Sequence, residues 1–333
     1  MAFKIDRRVI LGATAGVVLA AGLAAGSAMA QDKVTLRLST PATPTDQRSV
    51  ALAEVFAPAV DEFAAYEPHY NATLFRQGTE LEAIARGNLE MSITSAQELA
   101  TIYPEWSIFT AGYLLRDAEH QKNVFESGIM DEMKQKVEDE LGVKLLTVMY
   151  LGRRQLNLRP ETKVETPEDL DGLKLRMPGT DAWQFLGSAL GANPVPIAFT
   201  EVYTALQTGA VDGQDNPLPT VRDSKFYEVT SQIVLTSHLV DQNYLAISKA
   251  VWDELTPEQQ AVVQTAADDA AALGRERQLA LEDELAEFFR SEGLEVYEPD
   301  VDAFRERVQA AYLESEFAND WPEGMLEEVN AIE

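Results

Sequence analysis

Arg176 stands between Leu175 and Met177 near the end of an apolar stretch, and forty residues later Asn216 occupies the turn-forming sequence Asp215-Asn216-Pro217. A guanidinium carried on a strand that reads as buried must meet an anion, because an uncompensated charge away from water is costly. The planar fork of arginine fits a carboxylate through two parallel charge-assisted hydrogen bonds, a match that lysine does not reproduce. An asparagine amide can donate to an oxygen of the same ligand. Capture of a small carboxylate is the chemistry these residues suggest. The structural alternatives are an ion pair between Arg176 and one of the 55 acidic residues, and a purely turn-forming role for Asn216.

Catalysis has less to stand on. The chain has no cysteine, which removes thiol chemistry and cysteine metal sites. His69, His120 and His238 are far apart and follow no metal-ligand spacing. Gly187-Ser188-Ala189-Leu190-Gly191 displaces its serine by one from a nucleophile elbow, and neither a P-loop nor a dinucleotide fingerprint occurs. No catalytic residue, metal or cofactor is therefore expected, although a pair of carboxylates among so many acids stays open as an enzymatic alternative.

The first thirty residues read as an export signal. Lys4, Arg7 and Arg8 precede the apolar run Val9 to Ala25, and Ala28-Met29-Ala30 forms a cleavage signal. Arg7-Arg8 followed by Val9-Ile10-Leu11 also suits the twin-arginine route, with an ordinary Sec signal as the alternative. The expected location is outside the cytoplasmic membrane. The full chain carries a net charge of −28; removing three basic residues and one acidic residue with the signal leaves −30. Such a chain repels nucleic acid and anionic membrane surfaces, so any anion it binds must be drawn by local pocket charge.

The elements that would position these residues follow from patterning. Val34–Ser39 alternates as a strand, 49–66 reads as an amphipathic helix, 69–75 as a second strand and 89–94 as a third. Residues 119–141 read as one helix. Residues 144–151 form a strand apolar enough to be buried on both faces, ended by the polar break Gly152-Arg153-Arg154-Gln155. A strand over 173–177, helices over 181–190 and 200–208, and a late strand over 243–248 follow. Thr256-Pro257-Glu258-Gln259 is a capping box opening a helical run to about Arg290, either one long brace or two helices broken near Gly274. Helices over 301–313 and 322–332 end the chain. The alternation of strands and helices gives an α/β protein with a mostly parallel sheet.

The blocks GLKLRMPG (172–179), LGANPVPIAFTEVYTALQTGAVDGQDNP (190–217) and KFYEV (225–229) closely resemble the DctP-type periplasmic solute-binding subunits of tripartite ATP-independent periplasmic (TRAP) transporters. YPE (103–105), YLLRDAEH (113–120), LGV (141–143) and LTPEQQ (255–260) extend the resemblance over the mature chain. It implies a two-lobed α/β clam of the periplasmic binding-protein kind, type II-like, with two sheets flanking a cleft, crossover strands and a long helix spanning both lobes. It also implies domain boundaries: residues 31–151 with about 242–281 as one lobe, and 152–241 with about 282–333 as the other. The implied function is capture of a small organic acid by cleft closure and its delivery to a TRAP membrane permease. A ligand-sensing protein that docks to a sensor kinase is the alternative.

Carried over residue by residue, the resemblance makes Arg176 the carboxylate clamp and Arg154, in its G-x-R-Q motif, a second cleft arginine. Phe199 becomes an aromatic wall and Asn216 an amide donor. Ser39, Thr40 and Ser95 are weaker assignments at strand ends, and Trp183 either shapes the pocket or packs on its own helix face. Residues 76–80 depart from the family's P-x-x-Q-L-G pattern, which leaves the rear of the pocket open. The ligand classes that fit are C4-dicarboxylates, 2-oxo acids and sugar acids.

Overall fold

A computed structural model describes residues 33–333; the export segment expected over 1–30 lies outside the described residues. Within them nine strands form one hydrogen-bonded sheet: β1 (Val34–Ser39), β2 (Ala64–His69), β3 (Met91–Ser95), β4 (Val143–Leu158), β5 (Lys174–Met177), β6 (Asn193–Pro196), β7 (Gly213–Asn216), β8 (Gln232–Ser248) and β9 (Glu295–Tyr297). Their order is β2-β1-β3-β8-β4-β7-β5-β6, with β9 on β8.

β4 and β8 organise the molecule. At 16 and 17 residues they are about three times the usual strand length. They run antiparallel to each other through the middle of the sheet. One end of this pair carries β3, β1 and β2; the other carries β7, β5 and β6. The two sheets anticipated from the sequence are thus halves of one hydrogen-bonded array, a two-lobed α/β binding-protein fold. The expected parallel character holds for β1–β2, β1–β3, β5–β6, β5–β7 and β8–β9, whereas every pairing with β4, and that of β3 with β8, is antiparallel.

Several boundaries differ from the sequence reading. Gly152-Arg153-Arg154-Gln155 lies inside β4, not beyond it: Arg154 lines a cleft, Arg153 alone is exposed, and these polar side chains interrupt the apolar pattern without ending the strand. β8 likewise begins eleven residues before 243, hidden by the polar segment Ser237 to Asn243. Helical structure over 47–60 ends before Phe63, so the second strand is Ala64–His69 and not 69–75. The helix expected over 119–141 breaks at Gly128, whose φ of +87° suits glycine.

The helix Pro257–Ser291 is continuous for 35 residues, about 52 Å. Its capping box is formed, with Thr256 accepting from the amide of Gln259. Gly274 does not break it. A Cβ there would stand 3.5 Å from the carbonyl of Gln47, an ordinary contact with the helix Gln47–Ala51, so the position packs against that helix inside an unbroken helix. The first half of the long helix packs Val263, Ala266, Ala267, Ala270 and Ala271 into a core with Leu36, Leu38, Phe56 and Ile247. Its second half packs Leu285 and Phe289 into another core with Val202, Leu206, Val221 and Phe226. One helix therefore braces both halves of the sheet. No helix among the described residues is long and apolar enough to cross a membrane.

Candidate functional site

The carboxyl ends of β1, β3 and β5 open on one cleft, the usual place for a ligand on an α/β sheet. It contains about 740 Å³ free of protein atoms, its mouth included. Seven of the eight site residues expected from the sequence line it: Thr40, Ser95, Arg154, Arg176, Trp183, Phe199 and Asn216. Ser39 does not; it is fully buried behind the cleft, where its hydroxyl accepts from the amide of Phe75.

Arg176 lies on β5, in register with Gln214 of β7 on one side and Val195 of β6 on the other. It is 1% exposed. Its Nε donates to the carbonyl of Ile197 at 2.8 Å, and its Nη2 is buried with no hydrogen-bond partner. No carboxylate is paired with it among the ion pairs of the described residues. Burial pulls the guanidinium down to about 9, with Asp215 opposing and Arg154 adding to the shift; it remains a cation at neutral pH. Its Cζ stands 5.9 Å from the ring centre of Phe199. Asn216 ends β7 as a strand residue, not in the turn expected for it, and its amide donates to Gln214 at 2.5 Å.

Arg154 is the opposite case. Alternation along β4 puts Arg153 in solvent and Arg154 inside, as the G-x-R-Q motif anticipates. Arg154 Nε donates to Asp215 at 2.7 Å, Nη1 donates to Asp241 at 3.3 Å, and its Cζ stacks 4.3 Å from the ring centre of Trp183. Asp215 also meets His238 Nε2 at 3.1 Å, while His238 Nδ1 meets the Thr236 hydroxyl at 2.7 Å. Burial alone would raise Asp215, but Arg154 and His238 hold it well below the usual carboxylate range. Asp241 goes the other way, pushed up by burial despite Arg154. Trp183 thus serves the cleft by carrying a guanidinium on its face.

Sequence reasoning missed several lining residues. Arg48 is buried and paired with Asp46 at 2.8 Å, and its Nη1 donates to Asn243 at 3.0 Å. Glu98 closes a capping box with Ser95 and accepts from the Thr94 hydroxyl at 2.8 Å; burial pushes its carboxyl up. Behind it, burial and the proximity of Glu98 push Glu80 up to about 8. Asp241 and Asn243 had a signal available, since polar residues inside the run LVDQNYLAIS need a reason to be there. The departing segment 76–80 also has a place. Gln77 Oε1 accepts from the backbone amide of Phe199 at 3.0 Å and so ties the loop after β2 to the loop after β6 across the cleft.

Every cation of the cleft except Arg176 thus already has a carboxylate, and the lining adds Glu98 and Asp223 as further acids. The arrangement offers one guanidinium to one anion and a polar, mostly neutral or acidic surface to the remainder of a ligand.

Residues 41–319 match the model of DctP, bacterial extracellular solute-binding protein family 7. A crystal structure of a TRAP periplasmic solute-binding protein from Roseobacter denitrificans with bound 3-deoxy-D-manno-oct-2-ulosonic acid is 67% identical, covering 91% of this chain and 100% of that one at a TM-score of 0.90. The sialic acid-binding periplasmic protein SiaP of Vibrio cholerae is 35% identical over 239 residues, 70% of this chain and 72% of its own. A Haemophilus influenzae TRAP solute-binding protein with bound L-gulonate is 25% identical, covering 90% and 100% of the two chains at a TM-score of 0.83.

Proposed function

We propose a ligand class for a chain that belongs to the bacterial extracellular solute-binding proteins of family 7, the DctP family: a monocarboxylated, polyhydroxylated sugar acid, held by Arg176 through its single carboxylate. One observation carries this reading. Arg176 is the buried cleft cation without a carboxylate partner, and its Nη2 is unsatisfied. A second carboxylate on the ligand would find Arg154 and Arg48 engaged, and Asp46, Glu98 and Asp223 nearby. Hydroxyl groups would instead find neutral partners in Thr40, Ser95, Asn216, Thr220 and Asn243. The acids bound by the similar Roseobacter and Haemophilus proteins, each with one carboxylate and several hydroxyls, support the same class.

The protein captures this acid without turnover and passes it to a TRAP membrane permease after export, by the twin-arginine route that Arg7-Arg8 suits or by an ordinary Sec signal. The lobes are residues 31–151 with about 242–281, and 152–241 with about 282–333. The points at which β4, β8 and the long helix pass between the two halves of the sheet favour these limits.

A thermal-shift series tests the ligand class, because a molecule that binds only the folded state raises its stability by about 2.7 kcal/mol at 100 times its Kd. Sugar monoacids such as 3-deoxy-D-manno-oct-2-ulosonate and L-gulonate are expected to raise Tm; succinate, malate and neutral alditols are expected to leave it unchanged. A larger shift with a C4-dicarboxylate than with any sugar acid would refute the single-carboxylate assignment.

A further inference from the structure

The ligand cleft is aimed from behind. β4 loses its regular pairing with β8 between Tyr150 and Arg153 and again between Arg154 and Leu156. At this double irregularity the chain passes from one half of the sheet to the other, and Arg153 turns outward while Arg154 turns into the cleft. Two residues one turn apart on the long helix hold the irregular segment. Gln278 donates its amide to the carbonyl of Leu151. Glu282 accepts from the backbone amide of Arg153 at 2.6 Å and from the Tyr150 hydroxyl at 2.9 Å. Gly152 between them has φ +125°, and a Cβ there would stand 2.4 Å from Glu282 Oε1 and 2.6 Å from Pro217 Cβ. The space at residue 152 is thus filled by the carboxylate, which is why the position is glycine.

A bulge leaves backbone groups without ladder partners. Here one such group, the Arg153 amide, finds its acceptor in a side chain of the brace helix instead of in β8. That bond fixes the Gly152–Arg153 peptide, one residue before Arg154, and so constrains the direction in which the Arg154 side chain leaves the strand towards Asp215, Asp241 and Trp183.

We propose that Glu282 is a positioning residue for ligand capture: through the Arg153 amide and the Tyr150 hydroxyl it locks the kink of β4 to the long helix and thereby holds Arg154 and its stacked Trp183 as a wall of the cleft. The affinity part of this inference rests on the sugar-acid reading above; the locking part does not.

Two measurements on E282A, E282Q and the unmodified protein test it. The first is amide hydrogen exchange without ligand. E282A is expected to speed exchange of the Arg153 amide at least tenfold relative to amides of the helix Val301–Leu313, and E282Q, whose amide oxygen can still accept, is expected to restore protection. The second is calorimetric binding of 3-deoxy-D-manno-oct-2-ulosonate. E282A is expected to weaken binding about tenfold or more, with E282Q within threefold of the unmodified protein. Unchanged exchange at Arg153 in E282A overturns the lock, and so does an E282Q variant as impaired as E282A. Normal affinity in E282A despite faster exchange overturns the link to capture. If the unmodified protein fails to bind the acid while the exchange pattern appears as expected, the ligand assignment falls and the lock stands.

Discussion

Replacing Arg176 by methionine is expected to abolish acid binding while leaving the empty protein as stable as before or more so. The two halves of this expectation have one cause. Within the protein the guanidinium is buried, holds only the carbonyl of Ile197 by hydrogen bond and lacks a carboxylate partner. An unpaired buried charge is a cost, and an apolar side chain of similar volume removes it. When the ligand carboxylate arrives it completes a bidentate, charge-assisted pair in a dry site. Removing one member of such a pair costs about 3–5 kcal/mol, roughly two to three decades or more in Kd. R176K keeps a charge but not the fork, and is expected to recover only part of the affinity. Calorimetry for binding and ligand-free thermal denaturation for stability check the two halves separately. A sharp fall in the Tm of ligand-free R176M would mean that Arg176 is structural, the alternative the sequence leaves open.

Asp215 predicts the reverse pattern, a large loss of stability. It is fully buried and bonded to both Arg154 and His238. D215N leaves Arg154 with the more distant Asp241 alone, and the expected cost at pH 7 is about 3–5 kcal/mol in denaturant unfolding. The pH dependence gives the sign. Because Asp215 is depressed in the folded protein, its stabilisation is complete above the unfolded carboxylate value of about 3.9 and disappears as pH falls through the lower folded value. The gap between D215N and the unmodified protein should therefore be full at pH 7 and narrow below about pH 4. A gap under about 1 kcal/mol at pH 7, the range of an exposed pair, would show that Arg154 does not depend on this carboxylate.

These two residues also show what a sequence can and cannot disclose. Arg176 was legible because its neighbours Leu175 and Met177 are apolar, so a charge between them called for an explanation. The inward turn of Arg154 was legible from its motif. Its neutralisation was not, because the partners Asp215 and Asp241 lie 61 and 87 residues away and only the antiparallel meeting of β4, β7 and β8 brings them together. The same limit explains the strand errors. β4 and β8 are buried along nearly their whole length, but Arg154 of β4 and Asp241 and Asn243 of β8 line the cleft in mid-strand, so the hydrophobic pattern breaks there and the chain looks as if it leaves the sheet where it crosses between halves. The long helix was easier: its capping box is local, and Gly274, which could have marked a break, lies inside a continuous helix and packs against Gln47 far away in sequence. Ser39 was misplaced because a strand end names a region and not a side-chain direction; one residue further, Thr40 faces the cleft.

In the proposed mode of capture, one unpaired guanidinium receives one carboxylate. Calorimetric titration with 3-deoxy-D-manno-oct-2-ulosonate and with its carboxamide, which keeps the hydroxyls and shape but not the charge, tests it most directly. The acid is expected to bind, and the amide to lose at least about 100-fold in affinity. Equal affinity for the two would contradict it.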